Sequence, residues 1–135
     1  MKLVRIVRAQ WDVLALADPR GRCQVLEFLD RLGRGHPAAR FLAVFLRVYL
    51  PLEGPPRNNA QHCKPLGDGI FELRHQPKGP KPRILFFYDD QCRIVCTSAF
   101  WKSEKTPRAE LEAARRSREE YFRAKSEGSL EVEDG

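Results

Sequence analysis

Apolar and polar residues alternate loosely over residues 2–8, with Leu3, Arg5 and Val7 set against Val4, Ile6 and Arg8. That period of two predicts a first strand, open to continuation as far as Leu16. Asp18-Pro19 reads as a helix start, Asp as the N-cap and Pro at the first helical position. Val25, Leu26, Leu29 and Leu32 then recur at helical spacing, and Gly33 and Gly35 stop the run. Pro37 opens a second helix whose apolar positions are Phe41, Leu42, Phe45, Leu46, Val48, Tyr49 and Leu52. That set is too wide for one amphipathic stripe, so the helix is either heavily buried or half covered by a partner.

Residues 53–63 are rich in Gly, Pro and Asn and read as a surface loop. Three strands follow, over residues 69–75, 83–88 and 93–99, separated by a turn at 76–82 and a tight turn at 89–91. Spacing this short allows only antiparallel hairpins between them. Thr106-Pro107 caps a last helix over residues 108–125, with Leu111, Ala114, Arg118, Tyr121 and Phe122 on one face. The expected fold is α+β: a small antiparallel sheet with two N-terminal helices packed on it and a C-terminal helix, all helices on one side. Residues 1–125 form the single domain, and residues 126–135 an acidic, frayed tail.

Charge then narrows the partners. The net charge is +6 and the pI about 9.4, which favours nucleic acid, an anionic surface or an acidic protein. The longest apolar run, Phe41 to Leu52, carries Arg47 and falls well short of the roughly 20 residues a spanning helix needs. The opening residues are too short a run, and too interrupted by arginine, for a secretory signal. No membrane association is expected. Cys23, Cys63, Cys92 and Cys96 match no zinc spacing and read as reduced, mostly buried thiols of a cytoplasmic protein.

Cations gather at the strand ends. Arg74 ends one strand and Arg83 begins the next, so both lie near one sheet edge if they face the same side. Phe100-Trp101-Lys102 leaves the third strand, Lys105 follows, and Lys64 enters the first. Arg grips phosphate bidentately, and Phe or Trp stacks on an exposed base, so such a groove suits RNA. On composition alone the same residues also read as a solvated rim. His36, His62 and His75 form no paired motif, so neither a metal site nor a cofactor is expected. Asp89-Asp90 reads as a turn, Glu72 is placed to pair with a lysine, and Arg115, Arg116 and Arg118 read as a solvated face. Ser98 and Ser103 lack triad partners.

Lys64-x-Leu66-Gly-Asp-Gly-x-Phe71-Glu-Leu-Arg74, Arg83-Ile-Leu-Phe-Phe-Tyr88, Ala99-Phe-Trp-Lys-x-x-Lys105-Thr-Pro107 and Glu110-x-x-x-Ala114 stand in that order. Together they resemble the HigB-like, phage-derived branch of the RelE/ParE toxin superfamily. The resemblance covers residues 64–122; before that, only the order of elements is similar. It implies a RelE-like fold and the toxin of a type II toxin–antitoxin pair. Such a toxin is a metal-independent endoribonuclease that cuts mRNA on the ribosome through 2′-OH attack. A small helix-turn-helix antitoxin would neutralise it. Carried over by motif position, Arg74, Arg83, Lys102 and Lys105 are the catalytic candidates. Lys64, Phe100 and Trp101 are the RNA-binding ones. The superfamily also holds non-nucleolytic members that inhibit DNA gyrase, so an inactive or gyrase-directed binding module is the alternative.

Overall fold

The computed structural model describes residues 1–32, 37–54, 62–75, 81–102 and 105–134. Its first element is a hairpin rather than one long strand. β1 (Lys2–Val7) and β2 (Asp12–Leu16) pair antiparallel, and the Ala9 N–H donates to Asp12 Oδ1 at 3.3 Å across the turn. The reversal carries no Gly or Asn-Gly signal, so the pattern read through it.

Asp18-Pro19 likewise makes a turn and not a helix start. Asp18 Oδ1 accepts the N–H groups of Arg20 and Arg22, each at 2.9 Å, and Gly21 stands at φ +86°. Helix α1 begins only at Gln24 and runs Gln24–Leu32. The Gln24 side-chain amide seats that start on the sheet, donating to Ala99 O at 2.6 Å and accepting from Ala99 N at 2.9 Å. The expected stop at Gly33 and Gly35 lies outside the described residues.

The second helix starts at Pro37 as expected, with α2 at Pro37–Val44, a π-helical turn at Phe45–Tyr49 and α3 at Leu50–Glu53. The Leu50 N–H reaching back to Phe45 O makes the wide turn. An α-helix carries every fourth residue past a full turn, and the wider turn counters that drift. Leu42, Leu46 and Leu50 therefore all face the core.

Most of the 53–63 segment is outside the described residues. Its last position, Cys63, already belongs to a strand. β3 (Cys63–Gly67), β4 (Ile70–Leu73), β5 (Pro82–Asp89) and β6 (Arg93–Trp101) form successive antiparallel neighbours. Helix α4 spans Arg108–Glu127. The 126–135 tail does not simply fray: β7 (Glu131–Asp134) pairs parallel with β1. Acidic residues there meet basic ones, Glu131 opposite Lys2 and Asp134 opposite Arg5, with Arg5 Nη1 at 2.9 Å from Asp134 Oδ1.

The expected fold class is therefore corrected. The sheet has seven strands in the order β3-β4-β5-β6-β2-β1-β7, and it is mixed: β2 pairs parallel with β6, and β1 with β7. Hairpin spacing constrains only sequence neighbours. Between β2 and β6 the chain makes a long excursion through α1–α3 and β3–β5, ample for a parallel crossover. Nor do the helices share one side. Val13, Ala15, Ile84, Phe86, Ile94 and Cys96 pack with α1–α3 on one face, while Leu14, Leu85, Phe87 and Val95 pack with Ala114 and Tyr121 of α4 on the other. Strand residues alternate between two cores, which is why β5 reads as a continuous apolar run. Each fully buried Leu, Ile or Phe contributes about 1.5–3 kcal/mol.

Candidate functional site

Strand alternation places the site. Ile70, Leu85 and Phe87 face α4, so Glu72 and Arg83 face that side too. Glu72 lies opposite Leu85, and Arg83 opposite Phe100. Both charged side chains are 0% exposed, and Arg74, just past the end of β4, is 8% exposed.

A carboxylate is the hub. Glu72 Oε1 lies 3.3 Å from Arg83 Nε and accepts from Lys102 Nζ at 3.1 Å, while Oε2 accepts the Thr106 hydroxyl. Arg83 Nη1 also donates to Pro82 O at 3.0 Å. Burial lowers the Arg83 pKa, Glu72 raises it, and the neighbouring Arg74 charge lowers it further, so the two arginines feel one another. Removing one member of such a buried pair leaves an uncompensated charge and costs about 3–5 kcal/mol.

Each sequence-predicted residue has a definite place. Arg83 and Lys102 converge on Glu72, Arg74 acts on Arg83 through its charge, and the expectation that Glu72 pairs with a lysine holds through Lys102. The Lys102 N–H donates to Lys81 O at 2.7 Å, continuing the β5–β6 pairing past Trp101. Lys105 is exposed beside Thr106. Lys64 is exposed on β3, opposite Glu72. Arg83 lies wholly beneath the surface, so its charge acts from inside rather than by open contact.

Phe100 and Trp101 do not share a groove. Phe100 is half-buried in the α4-side core, whereas Trp101 is exposed on the opposite face, with its ring 6.3 Å from that of Phe28 in α1. Sequence reasoning gave Thr106 to the helix cap, but its hydroxyl goes to Glu72, and Pro107 stands at the N-cap. The signal for the hub was present in Ile70-Phe71-Glu72-Leu73, where period two puts an acid on an inward face otherwise apolar.

At the far end of the sheet a second buried acid, Asp89, closes the β5–β6 turn. Its Oδ1 accepts the N–H groups of Gln91 at 2.9 Å and Arg93 at 3.2 Å, which bears out the expected turn. Arg115, expected on a solvated face, lies 2.9 Å from Asp68 Oδ2 at the β3–β4 turn. The rings of His62 and His75 both pack on Phe41, with centroids at 5.1 and 4.2 Å. Cys23, Cys63 and Cys96 are buried free thiols and Cys92 is exposed; burial pushes the Cys63 pKa up to about 12. No helix among the described residues is long and apolar enough to cross a membrane. Among the same residues no three His, Cys, Asp or Glu side chains converge as a metal-ligand set.

Residues 27–119 match the model of the family described as phage derived protein Gp49-like (DUF891), and the chain belongs to that family. It is a family of RelE/toxin-like proteins, linked to toxin–antitoxin-type proteins. No curated protein matches the chain.

Proposed function

From that membership, we propose that the chain is the toxin of a type II toxin–antitoxin pair, of the HigB-like branch. It would cut mRNA engaged by the ribosome as a metal-independent endoribonuclease in the cytoplasm. The observation that carries this reading is the convergence of Arg74, Arg83 and Lys102 at one end of the sheet, beside the exposed Lys64 and Lys105.

RNA supplies its own nucleophile. The 2′-oxygen loses its proton and attacks the adjacent phosphorus, the bond to the 5′-oxygen breaks, and that oxygen takes up a proton. The products are a 2′,3′-cyclic phosphate and a 5′-hydroxyl. Charge grows on the phosphoryl oxygens in the transition state, where prearranged cations act most strongly. We assign that role to Arg74 and Lys102, with Arg83 adding positive charge from beneath. Lys105, exposed beside them, is assigned to proton transfer, and Lys64 and Trp101 to holding the strand on either side of the sheet end.

The test has two arms. A message translated in a cell extract with the purified protein is mapped by primer extension, and free RNA is incubated with the protein and EDTA. New 5′ ends and 2′,3′-cyclic phosphate termini are expected. RNA intact in both arms overturns the reading.

A second reading rests on one observation. The Glu72 carboxylate balances part of the cationic charge internally, which suits a non-nucleolytic binding module. A gyrase supercoiling assay separates it: inhibition with RNA left uncut favours the module. Under either reading, the expected partner is a small helix-turn-helix antitoxin. The exposed Val44, Val48, Tyr49 and Leu52 of the second helical segment are the apolar face we assign to it.

A further inference from the structure

We propose that Glu72 is the positioning residue of the cationic site, holding Lys102 and Thr106 together so that Lys102 and Lys105 stand at fixed places at this end of the sheet. This rests on the ribonuclease reading and says which residue keeps the site assembled.

The two contacts flank Lys105 in sequence. Lys102 leaves β6 and Thr106 precedes α4, and one carboxylate accepts from both, Oε1 from Lys102 and Oε2 from Thr106. The carboxylate itself is fixed. Glu72 sits on β4, paired on one side with Lys64 of β3 and on the other with Leu85 of β5. It is 0% exposed and its other close cation, Arg83, is also 0% exposed. A group with three donors converging on it and no opening to solvent has no route to take a proton from a bound 2′-OH. Its chemistry is to hold, and what it holds is two side chains at the entrance of the last helix. Thr106 is in the right place for this because its hydroxyl points back at the sheet rather than capping α4. A bidentate carboxylate bound to a lysine and a hydroxyl fixes both more tightly than either contact alone, since the second bond forms without further loss of chain freedom.

The experiment uses the full-length protein with ribosome-engaged mRNA as substrate, and a 2′-O-methyl RNA of the same sequence as an uncleavable binding probe. Misplacing a reacting group by about 1 Å costs roughly 10²-fold. The variants Glu72→Gln and Thr106→Val should each lower kcat by about that factor while the affinity for the 2′-O-methyl RNA changes less than about threefold. Thr106→Ser, which keeps the hydroxyl, should restore kcat. The pH at which the rate half-falls on the acid side should not move in Glu72→Gln, because Glu72 is not the base.

A Glu72→Gln protein that is folded and cleaves like wild type overturns the proposal while leaving the ribonuclease reading intact. So does loss of the acid limb of its pH profile, which would make Glu72 the base. If Glu72→Gln does not fold, the Thr106→Val and Thr106→Ser pair decides, and equal activity of those two overturns it. A wild-type protein that leaves the ribosome-engaged mRNA intact overturns the ribonuclease reading and this inference with it.

Discussion

Tyr121 donates its hydroxyl to Asp89 Oδ2 at 2.6 Å, joining the middle of α4 to the β5–β6 turn, and both side chains are buried. Lys125 Nζ reaches the same oxygen at 3.2 Å. Burial alone would raise the Asp89 pKa, but the bonds from Tyr121, Lys125 and the Gln91 N–H outweigh it and leave it below the ordinary 3.8. The sign follows from linkage. A carboxylate whose folded pKa is depressed contributes stability that is present above its unfolded pKa of about 3.9 and lost as pH falls through the folded value. Tyr121→Phe should cost about 1.5–3 kcal/mol at pH 7, as expected for a bond to a charged group. Asp89→Asn should cost more at pH 7, and its gap to wild type should narrow as the pH drops below about 4. Urea unfolding followed from pH 7 to pH 3 checks both; a gap that widens in acid would show that Asp89 is not held as an anion.

Gly54 ends α3 at φ +76°, and a Cβ placed on it would stand 2.6 Å from Trp11 Nε1. The Trp11 backbone N–H donates to Pro51 O at 2.9 Å, which holds that backbone beside α3, and the indole packs edge-on against Tyr88 with ring centroids 6.1 Å apart. Gly21 has a similar φ of +86° with nothing within 4 Å of its missing Cβ. Gly21→Ala carries the strain of a positive φ, about 1 kcal/mol, whereas Gly54, with ψ at −176°, lies in a region essentially reserved for glycine and carries about 1–3 kcal/mol. Gly54→Ala adds the collision and should lower the melting temperature clearly more than Gly21→Ala. Equal shifts would mean that the Trp11 contact yields.

The four thiols divide by burial. Burial raises the pKa of Cys23, Cys63 and Cys96, to about 12 for Cys63, and keeps them as thiols. The thiolate is the reactive species, so these three should resist alkylation at pH 8. Iodoacetamide on the native protein should modify Cys92 alone, read by mass spectrometry, and all four after denaturation. Native labelling of Cys63 would place an opening beside β3.

How much of this was legible follows from what each stretch of chain had to satisfy. The β5–turn–β6 unit and α4 were readable because Ile84 to Tyr88, Asp89-Asp90 and the helical spacing from Leu111 to Phe122 are local signals. β3 gives no strand signal of its own, since Pro65 and Gly67 interrupt it and Cys63 falls in the expected loop, yet an edge strand tolerates both interruptions. β7 was hidden by its charge. Glu131 and Asp134 look solvated until Lys2 and Arg5 of β1 are beside them. The parallel pairing of β2 with β6 joins residues some 80 apart, a distance local periodicity does not report. In the site, the neighbourhood of Arg74 and Arg83 followed from hairpin geometry. The separation of Phe100 from Trp101 was equally available, because consecutive strand residues point to opposite faces.

Arg74 and Arg83 should fail differently when removed. Arg74→Ala should lower RNA cleavage by about 10²-fold or more, as for loss of a transition-state donor, with a smaller change in stability. Arg83 is the buried partner of Glu72, so Arg83→Ala should also destabilise the fold, by about 3–5 kcal/mol. Arg115 pairs with Asp68 while 38% exposed, and such a pair is worth at most about 1 kcal/mol. Arg115→Ala should leave cleavage near wild type. Activity lost with Arg115 and kept without Arg74 would move the site along α4.

Val44, Val48 and Leu52 recur every fourth residue on the outer side of the second helical segment, with Tyr49 beside them, and all four are exposed although their neighbours Phe45, Leu46 and Leu50 fill the core. Exposed apolar residues in a row on one helix mark an interaction surface more often than isolated ones do. Arg40 and Arg47 are exposed on the same segment, so an occupant with an apolar stripe and acidic flanks fits it. Coexpression with the adjacent reading frame should give a complex that survives high salt, because burial of apolar surface rather than charge would hold it. Val48→Asp should abolish copurification while shifting the melting temperature of the free chain by little, since that side chain touches solvent already. A Val48→Asp chain that still copurifies in full would place the partner elsewhere, with the cationic end of the sheet the next surface to test.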